Sequence, residues 1–142
     1  MAKTESVGGN GGEGFDDGDG SNLDIVSLLI CQGDFIDGLQ IFYQDKNIGP
    51  VSPSGPFIIT RHGAEPKDQF DPCWQSFQMD HEHGEVITYL VVSYALPGEE
   101  NPFVHTMTIH TSTGREEIFG GRGGYPGPHT ARLPPTEGQR IY

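Results

Sequence analysis

His81-Glu82-His83 places two imidazoles at i and i+2, on one face of an extended strand, a spacing that can bind zinc. A third ligand at suitable spacing is not evident, so a chance pair in a polar turn is the better reading. The two cysteines, Cys31 and Cys73, are too few for a disulfide scaffold or a zinc cluster. Cys31 sits in an apolar run and reads as a small hydrophobe. Cys73, beside Trp74, could pair with His62 or His81 as a nucleophile, yet nothing in the sequence positions a base or an oxyanion hole. There is no phosphate loop and no dinucleotide fingerprint. An enzymatic reading would rest on these Cys and His residues alone, and binding becomes the chemistry to look for.

The elements that must position any binding residue are strands. The pattern Gly-x-x-Ile-x-x-Leu-x-(Ile/Val)-x-Tyr occupies residues 33–43 and again 84–94, and starts a third time at Gly138 before Tyr142 ends the sequence. Such a repeat marks a supersecondary unit that buries its apolar face only against its copies. It predicts a three-fold β-structure whose last unit is cut short. Within the copies, Leu39, Ile41 and Tyr43 alternate with Gln40 and Phe42, and Leu90, Val92 and Tyr94 alternate with Val91 and Ser93. A period of two places each set on one face of a strand. Ile36 with Ile87, and Leu39 with Leu90, should then occupy similar inward positions.

Further β-branched and aromatic runs lie at 25–31, 57–61, 74–79, 103–111 and 115–119, separated by Gly, Pro, Asn and Ser clusters. Many short strands with regular turn signals indicate a sandwich, barrel or prism. No stretch carries a convincing helical period. The length of 142 residues suits one domain with one core. Net charge is −12, with 8 basic against 20 acidic residues, which disfavours nucleic-acid backbones and anionic lipid. A neutral sugar meets no Coulomb penalty at such a surface, although solubility alone explains the charge. No apolar run is long enough to span a bilayer as a helix.

The opening, Gly8-Gly9-Asn10-Gly11-Gly12-Glu13-Gly14-Phe15-Asp16-Asp17-Gly18, resembles the start of a jacalin-related lectin domain, where a glycine loop precedes a Phe-Asp-Asp-Gly strand. The similarity continues through residues 25–43, resumes at 85–94 and at Met107-Thr108-Ile109-His110-Thr111-Ser112-Thr113-Gly114, and includes Ile118-Phe119-Gly120. It is weakest between Asn47 and Gln78. The resemblance implies an all-β prism of three Greek-key units with pseudo-three-fold symmetry, over residues 8–142, preceded by a disordered tail at 1–7. It implies a non-catalytic lectin whose partners are glycans or glycoproteins.

A sugar site needs backbone N–H groups brought close, a carboxylate that accepts from hydroxyls, and often an aromatic face. By resemblance the close-approach glycine is Gly12, since a residue without Cβ lets backbone reach a ligand. Composition alone would make residues 8–14 a flexible linker; the Phe15-Asp16-Asp17-Gly18 sequel favours the site. Tyr94, which closes the second repeat strand, matches the family's aromatic loop, with a core-rim role as the plainer reading. The family's main sugar loop is Gly-x-x-x-Asp near the C-terminus, about a dozen residues past the position of Ile141, and no residue here corresponds. Asp16 and Asp17 lie on the opening strand and could be near that site, although the family does not use them as its chief ligands. Some prism lectins carry additional sites on other keys, and Gly33-Asp34-Phe35-Ile36-Asp37 could form one with Asp37 as acceptor.

Galactose-preferring members are cleaved next to the matching glycine, whereas this chain runs uncut through Val7 to Gly11. That resembles the mannose- or glucose-preferring branch. The alternative is a degenerate prism serving as a structural or protein-interaction module. With the last key incomplete, the opening strand should present an unpaired edge and invite self-association. The first residues lack the apolar core of a signal peptide, so cytoplasm is the default if this start is native, with secretion the alternative.

Overall fold

The computed structural model describes residues 23–48, 55–63, 74–121 and 127–133. Eight strands appear there: β1 (Leu23–Gln32), β2 (Ile36–Asp45), β3 (Ile58–Gly63), β4 (Trp74–Gln78), β5 (Ile87–Tyr94), β6 (Val104–Thr111), β7 (Glu116–Gly120) and β8 (His129–Leu133). One 3₁₀ turn, Lys46–Ile48, follows β2. The first sheet has strand order β3-β2-β1-β4 and the second β7-β6-β5-β8, with every pairing antiparallel. Three hairpin-connected strands and a fourth that returns beside the first make each sheet a Greek key. The described residues are all-β, as expected, and form two of the three Greek keys expected.

Alternation builds the core. Leu28 and Ile30 point inward from β1, and His105, Met107, Ile109 and Thr111 from β6. A register shift between Ile25 and Ser27 inserts Val26 as an extra buried residue. The first key contributes Leu28, Ile30, Phe77 and Met79 to the shared core, and the second Val92, Met107, Ile109 and Phe119. Phe77 meets Phe119 edge-on, with ring centres 6.2 Å apart, and joins the two sheets.

The register corrects the reading of the repeat. Its two copies lie on β2 and β5, which hold different places in their keys. Topology instead matches β1 with β5 and β2 with β6. Ile36, Leu39, Ile87 and Leu90 all pack half-buried against the one core, as expected. They do so because β2 and β5 are both inner strands with the same demand for one apolar face, not because they are equivalent. In the true correspondence Leu28 answers to Leu90, Ile30 to Val92, and Ile41 to Ile109. The third partial copy lies outside the described residues, as do the tail and the opening strand. Strand β8 was not anticipated: His129-Thr130-Ala131-Arg132-Leu133 is short and mixed in polarity. Cys31 is disulfide-bonded, not a free apolar filler; Cys73, the chain's other cysteine, lies outside the described residues.

Antiparallel pairing separates the loops into two ends. At one end, buried Glu85 ties the β4–β5 loop to the β6–β7 turn. Its Oε2 accepts from the hydroxyls of Thr111 (2.7 Å) and Thr113 (2.6 Å), and its Oε1 from the Asp80 N–H (2.9 Å). Arg115 Nε stands 3.7 Å from Oε2, with its guanidinium 4.0 Å above the Phe77 ring. Burial raises the Glu85 pKa, but the two hydroxyls, the backbone N–H and Arg115 outweigh it and leave the carboxyl below its ordinary value. A group with a depressed folded pKa contributes stability above its unfolded pKa, and that contribution is lost as pH falls through the folded value. Glu85→Gln should therefore cost about 1–3 kcal/mol at pH 7 and flatten the acid limb of the stability profile. Thermal melts of both proteins from neutral to acid pH check this; parallel profiles would contradict it.

Candidate functional site

The opposite end carries the β1–β2 and β5–β6 loops, the end of β7 and the start of β8. The β1–β2 pairing runs Cys31 with Gly38 and then Gln32 with Ile36, so Asp37 has no partner across the strand. A bulge leaves the extra residue unpaired and re-aims its side chain. Asp37 is exposed and, among the described residues, makes no hydrogen bond or ion pair. A carboxylate in that state offers all its lone pairs to a ligand.

The loop beneath this carboxylate is anchored by the other key. The Gly121 N–H donates to the Asp34 carbonyl at 3.1 Å, and the Gly120 N–H to Gln32 Oε1 at 2.7 Å. Phe35 packs its ring against Phe103 (5.1 Å between centres) and edge-on to His105 (4.9 Å). His105 is buried, and its Nε2 lies 2.8 Å from the Asn101 carbonyl. A carbonyl only accepts, so Nε2 carries the proton. Gly120 has φ +80, and a Cβ there would overlap the His105 carbonyl oxygen and press on Ile36. Glycine is what permits β7 to come this close.

The second key has the same bulge with a different residue in it. Ser93 pairs with Thr106 and Tyr94 with Val104, which leaves His105 as the extra residue. His105 is thus the counterpart of Asp37, and Phe103 the counterpart of Phe35. The first key presents its bulge residue as a free carboxylate to solvent. The second turns its bulge residue inward, against Phe35, as a support. Gly33 and Asp37 also carry the Gly-x-x-x-Asp spacing sought near the C-terminus. The sequence offered this segment as an additional site with Asp37 as acceptor; its equivalence to the β5–β6 bulge appears only in the strand registers.

Tyr94 lies at the same end but is partly engaged. Its ring stacks on His129 at 5.4 Å and 27°. His129 Nε2 is 2.6 Å from Glu99 Oε1, which also accepts the Leu96 N–H at 2.7 Å. The Leu96 N–H first, and His129 second, hold Glu99 below its usual carboxyl range. A side chain on Gly127 would overlap the Tyr94 backbone, so β8 enters by close contact. Gly12, Asp16 and Asp17 lie outside the described residues. His83 Nδ1 sits 2.7 Å from Asp80 Oδ2 in the exposed turn at the other end, away from this loop.

The Jacalin-like lectin domain profile matches residues 4–142. The chain belongs to the jacalin-like lectin family, a family of carbohydrate-binding domains. Among solved structures, the artocarpin–mannotriose complex matches at 20% identity and TM-score 0.63, covering 94% of this chain and 83% of that one. Wild-type Malaysian banana lectin matches at 21% identity and TM-score 0.61, over 90% of this chain and 76% of that one. AcmJRL, a mannose-binding jacalin-related lectin from Ananas comosus, matches at 19% identity and TM-score 0.60, over 89% and 75%. No curated protein sequence gives a significant match.

Proposed function

We propose that this protein is a non-catalytic lectin that binds mannose- or glucose-type glycans without a metal ion, with Asp37 as the hydroxyl acceptor of one site. The observation that carries this reading is the exposed, unpaired carboxylate on a bulge held by the second key. Two sugar hydroxyls can donate to its two oxygens, and the anchored loop needs no ordering on binding. The mannose-binding description of structural neighbours supports the sugar class. Tyr94 contributes an apolar surface at the rim of the same end. By resemblance to the family, Gly12, with Asp16 and Asp17 as further carboxylates, is proposed for a second sugar site.

Titration calorimetry with methyl α-mannoside in the presence of EDTA tests the proposal. Saturable binding, competed by methyl α-glucoside more strongly than by methyl α-galactoside, is the expected result. No heat with any of the three, alongside an intact fold, would favour the protein-interaction alternative. The support from the second key is separately testable. Phe103→Ala removes the ring on which Phe35 rests; aromatic pairs of this kind are worth about 0.5–1.5 kcal/mol. Affinity for methyl α-mannoside should fall by about two- to tenfold by that arithmetic, although Phe103 belongs to the other key. Unchanged affinity would mean that the loop holds its shape without the second key.

A further inference from the structure

A second feature of the first key points to a ligand, and it lies on the outer face of the sheet. The cross-strand row Phe42, Ser27, Gln78 places a small residue between two large ones. A dent results over Ser27. Phe57 folds across its rim and meets Phe42 edge-on, with ring centres 5.8 Å apart at 85°. Leu29 continues the floor and Ser76 lies beside it on β4. His81 closes the far side of a cavity of about 250 Å³.

Among the described residues, the side chains of Ser27, Ser76, Gln78 and His81 make no hydrogen bond. Each can both donate and accept. They face an apolar corner made by two phenyl rings. Among the described residues, no Lys or Arg lines the space to hold an anion, and no Asp or Glu to hold a cation. The net charge of −12 further repels anions. What fits is a small neutral ring with one C–H face and a rim of hydroxyls.

We infer that this cavity binds a single neutral pyranose, with its apolar face against Phe42 and Phe57 and its hydroxyls toward Ser27, Ser76, Gln78 and His81. The site is separate from the Asp37 loop. Phe42 is five residues further along β2, about 16 Å at roughly 3.3 Å per residue. The inference does not depend on Asp37.

Amide chemical-shift titration of the ¹⁵N-labelled full chain tests it, with methyl α-mannoside, methyl α-glucoside and methyl α-galactoside added separately. At least one of these should shift Ser27, Phe42, Phe57, Ser76 and Gln78 saturably, in the wild type and equally in Asp37→Ala. Ser27→Leu fills the dent and should abolish those shifts; Gln78→Ala leaves the space open and should weaken binding about tenfold, the value of one lost hydrogen bond. A melt of each variant establishes folding, and Gln78→Ala decides the matter if Ser27→Leu is unfolded. No saturable shift at these residues with any of the three sugars overturns the inference. Shifts confined to residues 33–38 would do so while leaving the lectin reading intact, and shifts at the outer face alone would support this cavity and sink the Asp37 site.

Discussion

Asp37→Ala is expected to lower affinity for methyl α-mannoside at the loop site by about a hundredfold or more. The carboxylate accepts from two hydroxyls, and hydrogen bonds to charged groups contribute about 1.5–3 kcal/mol each. Losing two of them costs roughly 3 kcal/mol at least, or two decades in Kd. Stability should stay within about 0.5 kcal/mol of wild type, because the side chain is exposed and has no partner among the described residues. Asp37→Asn discriminates further. It keeps one acceptor oxygen and the side-chain volume but removes the charge, so it should bind more weakly than wild type and better than Asp37→Ala. Calorimetric titration of the three proteins, with melts run in parallel, reads both quantities. Equal affinity for all three would remove Asp37 from the site.

Gly120→Ala should destabilise the domain by about 3 kcal/mol, with a drop in Tm of roughly 10 °C. Two costs combine. The residue sits at φ +80, where a Cβ strains the backbone by about 1–2 kcal/mol. The added methyl also overlaps the His105 carbonyl oxygen, a backbone atom inside a paired strand that cannot swing aside. The relaxation open to the protein is to move β7 away from β6. That would stretch the Gly120 N–H to Gln32 bond and the Gly121 N–H to Asp34 bond, which anchor the Asp37 loop. Sugar affinity should therefore fall along with stability, although Gly120 touches no ligand. Gly114, also at positive φ but with open space at its Cβ position, is the control. Gly114→Ala should show the backbone cost alone and leave binding unaltered. Equal losses at both glycines would mean that contact with His105 is unimportant.

The strands were legible because alternation is a strong signal where one face is buried and the other wet. Leu28 and Ile30 in β1, and Met107 and Ile109 in β6, are of this kind. Strand β8 was not, because Ala131 and Leu133 are its apolar residues and Arg132 stands between them. The repeat was real as a pattern and misleading as a unit. Inner strands of either key face the same core, so similar sequences arose on β2 and β5, which are not related by the symmetry of the fold. Only the strand registers, with matching bulges at Asp37 and His105, recover the true correspondence.

The candidate site divides in the same way. The Gly-x-x-x-Asp spacing of Gly33 and Asp37 is written in the sequence. That Phe35, Phe103 and His105 brace it is not, because those contacts join residues far apart in the chain. Nor could the sequence reveal that His129 covers one side of Tyr94. The cavity over Ser27 depends on three strands brought into register, and its residue types are individually unremarkable on a strand surface. The bonded state of Cys31 was missed because two cysteines far apart in sequence give no spacing rule. A disulfide persists in oxidising compartments, so a reducing cytoplasm would open it; fractionation of the native protein would settle the compartment.

The central claim is that the unpaired Asp37 carboxylate receives the hydroxyls of a neutral sugar. A crystal structure of the full chain grown with methyl α-mannoside and EDTA tests it most directly. The account predicts the glycoside at the β1–β2 loop, with two hydroxyl oxygens within hydrogen-bond distance of the Asp37 carboxylate and no metal between them. A sugar bound elsewhere with the Asp37 loop empty, or one held at Asp37 through a bound cation, would contradict it.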